Sequence, residues 1–241
     1  MSRNFSADFL KQGVGLVKIS GLYFTNQHEG YGLSKNNTQA PREELKEFID
    51  NIPLGKLVFM VGGGNIRRGR DYKGVEKVFN DRIGVLSTVI NALDLSSMFK
   101  AKSVVYSPIC KEDIIRPYDP LKIIDENEKS YSILAGGLGW CGNISTDTAM
   151  VIRALELGCN WACKISSSGG VFDKDPKFDK DAQLIKSISY DEAIEFGAFD
   201  KSAIAIAKEN SLKLVMSSIS ELQKIISSDL KKENFVGTIV S

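Results

Sequence analysis

A single histidine, His28, serves 241 residues, and that scarcity removes most Ser/His and Cys/His schemes, which need a base beside the nucleophile. Four cysteines, at 110, 141, 159 and 163, lack metal-like spacing: zinc needs four ligands, and Cys159 and Cys163 stand four apart in an apolar segment. They are expected to be buried, reduced thiols. No apolar run approaches the ~20 residues that a bilayer-spanning helix needs. The first twelve residues carry Arg3, Asp8 and Lys11 where a secretion signal would be continuously apolar. Formal charge is +1, from 31 basic and 30 acidic side chains, so no overall field draws the chain to nucleic acid or a membrane. The common nucleotide signatures are missing too. There is no G-x-x-x-x-G-K-[ST], and Gly13-Val14-Gly15-Leu16-Val17-Lys18 lacks the last glycine of a dinucleotide fingerprint. These absences predict a soluble, cytoplasmic protein without hydrolytic triad chemistry and with no nucleic-acid or membrane partner.

What the chain does have is short, continuous apolar runs, at 16–19, 57–61, 104–106, 131–135, 161–165, 212–216 and 238–240. Continuous rather than alternating hydrophobicity is the mark of strands buried on both faces. Helical patterns lie between them, at 41–51, 81–99, 146–157, 190–197, 201–210 and 219–230. In the second of these, Ile83, Leu86, Ile90 and Leu93 lie on one face. Strands alternating with helices predict a three-layer α/β/α sandwich with a mostly parallel central sheet. With no linker, repeat or low-complexity tract, residues 1–241 are expected to form one domain.

In such sheets ligands bind at the carboxyl ends of strands, and three glycine-bearing ends fall there. Val61-Gly62-Gly63-Gly64-Asn65 is followed by Arg67 and Arg68; Ala135-Gly136-Gly137-Leu138-Gly139 ends a second run; Lys18-Ile19-Ser20-Gly21 ends a third. Bare backbone N–H groups and nearby cations suit an anion such as a phosphate. Each feature also has a plainer reading. Lys18 at a strand end reads equally as a rim residue, the three glycines as a tight turn, and the arginines as a solvated helix face. Thr146-Asp147 reads as a helix cap through hydroxyl and carboxylate, or as an aspartate orienting lysines near a transferring phosphoryl group. Asp173, Asp175, Asp179 and Asp181 read as a solvated loop, since the EF-hand glycine and terminal glutamate are missing.

Four blocks together resemble the amino-acid kinase superfamily and, within it, the bacterial uridylate (UMP) kinases. They are Val61-Gly62-Gly63-Gly64-Asn65-Ile66-Arg67-Arg68-Gly69, then residues 81–93 from Asp81-Arg82-Ile83-Gly84 to Asn91-Ala92-Leu93, then Ser145-Thr146-Asp147-Thr148-Ala149, then Gly170-Val171-Phe172 with Asp175-Pro176. The resemblance spans residues 17–240. It implies the amino-acid kinase fold, its N-terminal part mainly an acceptor site and its C-terminal part mainly an ATP site, with transfer of a phosphoryl group from ATP to UMP and Mg²⁺ bound through the ATP phosphates. By resemblance, Lys18 and Asp147 are catalytic. Lys18, Ser20, Gly21, Gly64, Arg68, Ser166, Phe172 and Asp175 contact ATP, while Gly63, Asp81, Gly137, Gly139 and Thr146 contact UMP. It further implies a homohexamer, activated by GTP near residues 28–32 and inhibited by UTP, serving pyrimidine nucleotide synthesis.

The sequence departs from this pattern at two places. Ser166-Ser167-Ser168-Gly169-Gly170 stands where the family carries Thr-Lys-Val-Asp-Gly, which loses one lysine and one aspartate. Lys164 lies two residues earlier, on the same strand face as Ser166. Residues 139–144 are longer than the family's Asn-Pro-Phe-Phe run, and Leu22 stands where glutamate is frequent. Two alternatives stay open at this point: the same fold with a carboxylate or carbamate acceptor, and a nucleotide-binding or storage protein without turnover.

Overall fold

The computed structural model describes residues 7–24, 39–66, 77–109, 115–138, 144–227 and 235–241. Arg67, Arg68, Arg70, Gly139, Cys110, Cys141 and residues 28–32 lie outside them. In chain order the elements are β1 (Gly15–Ile19), α1 (Gln39–Asp50), β2 (Leu57–Val61), α2 (Lys77–Ser96), β3 (Ser103–Ser107), β4 (Ile115–Pro117), α3 (Pro120–Glu126), β5 (Tyr131–Ala135), α4 (Thr146–Glu156), β6 (Trp161–Ile165), β7 (Val171–Phe172), β8 (Leu184–Ile185), β9 (Ser187–Ile188), α5 (Tyr190–Glu195), α6 (Lys201–Glu209), β10 (Lys213–Ser217), α7 (Ile219–Ile226) and β11 (Gly237–Val240). Short 3₁₀ turns at Asp8–Lys11 and Gly21–Phe24 flank β1.

Nine strands hydrogen-bond in the order β4-β3-β5-β2-β1-β6-β10-β11-β9. The pairings are parallel except β10 with β11. From β1 the sheet grows outward in both directions, through β2 and β5 on one side and β6 and β10 on the other. The β1/β6 boundary is therefore a topological switch point, where the loops leaving adjacent strand ends part to opposite faces and open a crevice.

The two-residue alternation of strand side chains divides the core in two. Val17, Ile19, Phe59, Val61, Ile133, Cys163 and Val215 pack with Leu45 and Phe48 of α1, Val89, Ala92 and Leu95 of α2 and Leu222 of α7. Leu16, Val58, Met60, Leu134, Ala162 and Leu214 pack with Ile123 of α3, Ala149 and Met150 of α4 and Ala203 and Ile204 of α6. Lys18 and Lys164 share the parity of Leu16 and Ala162, so both belong to the α4 side. Cys159 and Cys163 are free, buried thiols; burial pushes Cys159 up to about 12 and Cys163 higher still.

The helix expected over 81–99 forms as part of α2, and of the four apolar residues on its one face Leu93 packs against the core. Val85, Val89, Ala92 and Leu95 are buried, while Ile83, Leu86 and Ile90 are 39, 47 and 56 % exposed. The buried face also holds Ser87, Thr88 and Asn91, whose polar groups are satisfied there: Ser87 and Thr88 donate to carbonyls of their own helix and Asn91 to Gly62. Among the described residues no helix is long and apolar enough to cross a membrane.

Candidate active site

Strand register does the first part of the assembly. Leu16 pairs with Ala162 and Lys18 with Lys164 across the β1/β6 boundary, so two lysines emerge side by side, one from each strand. α4 then delivers a carboxylate between them. Its N-cap is Ser145, whose Oγ accepts from the backbone N–H groups of Asp147 and Thr148 at 3.2 Å each. Ser145 rather than Thr146 or Asp147 does the capping, which frees the Asp147 carboxylate for other partners.

Both its oxygens are taken by ammonium groups. Lys18 donates to Oδ1 in a very short contact, and Lys164 donates to Oδ2 at 2.8 Å. The Lys164 ammonium also donates to the Ala198 carbonyl at 3.0 Å and lies 5.2 Å from the centre of the Phe199 ring. Side-chain exposure is 11 % for Lys18, 8 % for Asp147 and 26 % for Lys164. The rim reading of Lys18 does not hold. Burial works to raise the Asp147 carboxyl, but the two lysines outweigh it and hold it below the usual carboxylate range. Burial lowers Lys18; Asp147 opposes that shift and Lys164 reinforces it, and the net direction is down.

The glycine ends owe their missing side chains to packing. A Cβ on Gly63 would stand 2.8 Å from Ser87 Cβ and 2.9 Å from the Gly84 carbonyl of α2, and one on Gly21 would stand 2.4 Å from Asn65 Oδ1. Turn and helix are held together by a reciprocal amide pair. Asn91 Nδ2 donates to the Gly62 carbonyl at 2.6 Å and to Asn65 Oδ1 at 2.7 Å, and Asn65 Nδ2 returns a bond to Asn91 Oδ1 at 3.1 Å. Both amides are buried. Sequence reasoning quoted these two asparagines inside motifs without giving them a task. The available signal was an amide on an otherwise apolar helix face.

The other candidates fall into two groups. Thr146 stands beside Gly62 and Gly136, and Gly137 lies against Val85 of α2, one turn beyond the half-buried Asp81. These residues gather at the ends of β2 and β5. On the β6 side, Ser166, Phe172 and Asp175 line a cavity of about 810 Å³ together with Lys164, Ser168, Phe196 and Met216. Ser166 Oγ is 2.8 Å from Ser168 Oγ and accepts from the Ser168 N–H, so the loop presents hydroxyls in a compact turn. The Asp175 carboxylate accepts from the Lys177 N–H at 2.9 Å, folding the next part of the loop. Ser20, Gly21 and Gly64 lie at the ends of β1 and β2, between the two groups. The arrangement offers a cavity on the β6 side and a cluster of glycines with Thr146 at the ends of β2 and β5, with the lysine–aspartate–lysine cluster beside both. That suits bringing two anions end to end.

Comparison with known proteins agrees with this geometry. Residues 15–218 match the amino acid kinase family. A uridylate kinase of Aliarcobacter butzleri is 31 % identical over 232 residues, covering 92 % of this chain and 97 % of the relative. One from Rickettsia typhi is 35 % identical over 223 residues, covering 88 % of each. The crystal structure of a UMP kinase from Ureaplasma parvum superposes with a TM-score of 0.79 at 24 % identity, covering 95 % of this chain and 99 % of that one. The chain belongs to the amino acid kinase family and, within it, to the uridylate kinases.

Proposed function

We infer that this protein transfers the γ-phosphoryl group of ATP to UMP, giving ADP and UDP. The observation that carries the reading is the Lys18–Asp147–Lys164 cluster at the switch point of a uridylate-kinase fold. A phosphate oxygen of UMP forms the new bond to the γ-phosphorus, and the bond to the β-phosphate oxygen of ATP breaks. A phosphate monoester has its second pKa near 6, so the acceptor is mostly a dianion at neutral pH and no general base is needed. The protein's task is to hold two polyanions in line and stabilise charge on the transferring group. Lys18 supplies the buried cation, and Asp147 keeps it extended toward the junction.

In this reading the acceptor nucleotide uses Gly63, Asp81, Gly137, Gly139 and Thr146. ATP uses Lys18, Ser20, Gly21, Gly64, Arg68, Ser166, Phe172 and Asp175, and the whole chain acts as one catalytic unit. Both Asp147 oxygens are engaged by lysines, so Mg²⁺ would be held through the ATP phosphates and would supply neutralisation of their charge. The exposed stripe of Phe79, Ile83, Leu86 and Ile90 on α2 supports self-association, with the hexamer as the expected assembly. Activation by GTP, inhibition by UTP and a cytoplasmic role in pyrimidine nucleotide synthesis rest on the resemblance.

The test is a coupled assay of ADP release with UMP, CMP, glutamate and carbamate offered in turn. UMP should give the highest kcat/KM. Lys18→Ala should lower turnover by about 10²–10³, the cost typical of losing one transition-state donor. Preferential use of glutamate or carbamate, or ATP-dependent thermal stabilisation without ADP release from any acceptor, would overturn the reading.

A further inference from the structure

We propose that Lys164 is a second catalytic cation of this site, one that touches the terminal phosphates of the donor nucleotide while Asp147 holds it in place. The inference rests on the ATP-to-UMP reading and adds to it a residue from β6.

Charge counting gives the first argument. Two ammoniums share the one carboxylate they bond, and Asp200 adds only a weaker, more distant negative field at Lys18, so the bonded cluster keeps a surplus of positive charge at a poorly solvated position. A charge held out of water is costly unless it is paired, and an arriving phosphate supplies the missing partner. Donor geometry gives the second. An ammonium has three N–H bonds; Lys164 spends one on Asp147 and one on the Ala198 carbonyl, which leaves one for a ligand. Access gives the third. Lys18 is nearly enclosed, whereas Lys164 is about a quarter exposed and lines the 810 Å³ cavity. The adjoining stretch 166–170 contributes hydroxyls and no cation; of the three lysines that line the cavity, Lys164, Lys174 and Lys177, Lys164 is the one bonded to Asp147, and Lys174 is paired with Asp179 at 3.0 Å. Lys164 is thus the cation placed where the cavity meets the cluster. As the bond from γ-phosphorus to the β-phosphate oxygen breaks, negative charge collects on ADP, and an ammonium at that place stabilises it.

The experiment compares wild type with Lys164→Gln, which keeps N–H donors for Asp147 and Ala198 but carries no charge. Calorimetric titration with AMP, ADP and ATP, without an acceptor, is paired with steady-state kinetics. The expected result is a kcat lower by about 10²–10³, a KM for UMP within about threefold of wild type, and loss of the preference for ATP over AMP. Turnover within threefold of wild type, or equal weakening of all three nucleotides, overturns the proposal, because a lysine that only neutralises Asp147 would behave in that way. If Lys164→Gln does not fold, the wild-type protein decides. Under lysine acetylation read by mass spectrometry, ATP should protect Lys164 more than AMP does, and equal protection overturns the proposal. Wild type that turns over no acceptor would sink the UMP reading alone, since the affinity series and the protection experiment still judge Lys164.

Discussion

Asp147 works at the residue scale by being outnumbered. Its depressed carboxyl pKa means that the ion cluster's contribution to stability is present above the ordinary carboxylate range. That contribution is lost only as pH falls through the lower, folded-state value. For Lys18 the direction is downward, so the cation disappears as pH rises through a value below the ordinary lysine range. The pH profile of kcat/KM should therefore show an acid limb near pH 6, from the second ionisation of UMP, and an alkaline limb set by Lys18 in the free enzyme. Asp147→Asn removes the largest of the influences that raise Lys18 and leaves only the weaker one of Asp200. The alkaline limb should move to lower pH and turnover should fall; an unmoved limb would mean that Lys18 is not the titrating group. Some of this site was legible in the residues. Lys18, Gly62 to Gly64 and Asp147 announce themselves by type and spacing. The division of labour at the start of α4 did not, because Ser145, Thr146 and Asp147 are all good cap residues, and only the backbone path decides which one caps.

At the scale of elements, α2 carries the most. One face packs on the sheet, its Ser87 and Gly84 close on Gly63, and its Asn91 is joined to Gly62 and Asn65. Asn91→Leu keeps the volume roughly constant but leaves the Gly62 carbonyl and the Asn65 amide without their partner, a loss of about 1–3 kcal/mol. The expected outcome is a lower denaturation midpoint with an unchanged denaturant slope, together with a raised KM for a nucleotide as the glycine turn loosens. A wild-type midpoint would show that the pair is replaceable by water. The long apolar strands were readable because they are buried on both faces. α3 was not, since only Ile123 among its seven residues is buried; it is set by Pro120 and by the Asp119 side chain accepting from Leu121 and Lys122. β4, β7, β8 and β9 are two or three residues long, too short for periodicity to register. Which face of α2 meets the core was not legible, because two apolar stripes run along it and helix periodicity alone does not choose between them.

For the whole molecule, alternation of strand and helix pointed to a parallel sheet, while strand order stayed hidden because it depends on pairings between distant segments. The outward stripe on α2 belongs to this scale as well. Monomeric soluble proteins rarely leave a contiguous apolar surface bare, so Ile90→Glu should lower the mass seen in sedimentation while leaving the far-ultraviolet circular dichroism spectrum intact. An unchanged mass would mean that this stripe carries no self-association. The β1/β6 pairing has one more consequence, for synthesis. β1 acquires its neighbour on that side only once residue 161 exists, and Lys18 meets Asp147 across 129 positions. A chain growing from the ribosome must therefore carry an exposed strand edge and an unneutralised lysine through most of its elongation. Competence arrives late and nearly at once, when the middle of the sheet closes, and truncated translation products should be prone to aggregate rather than partly active.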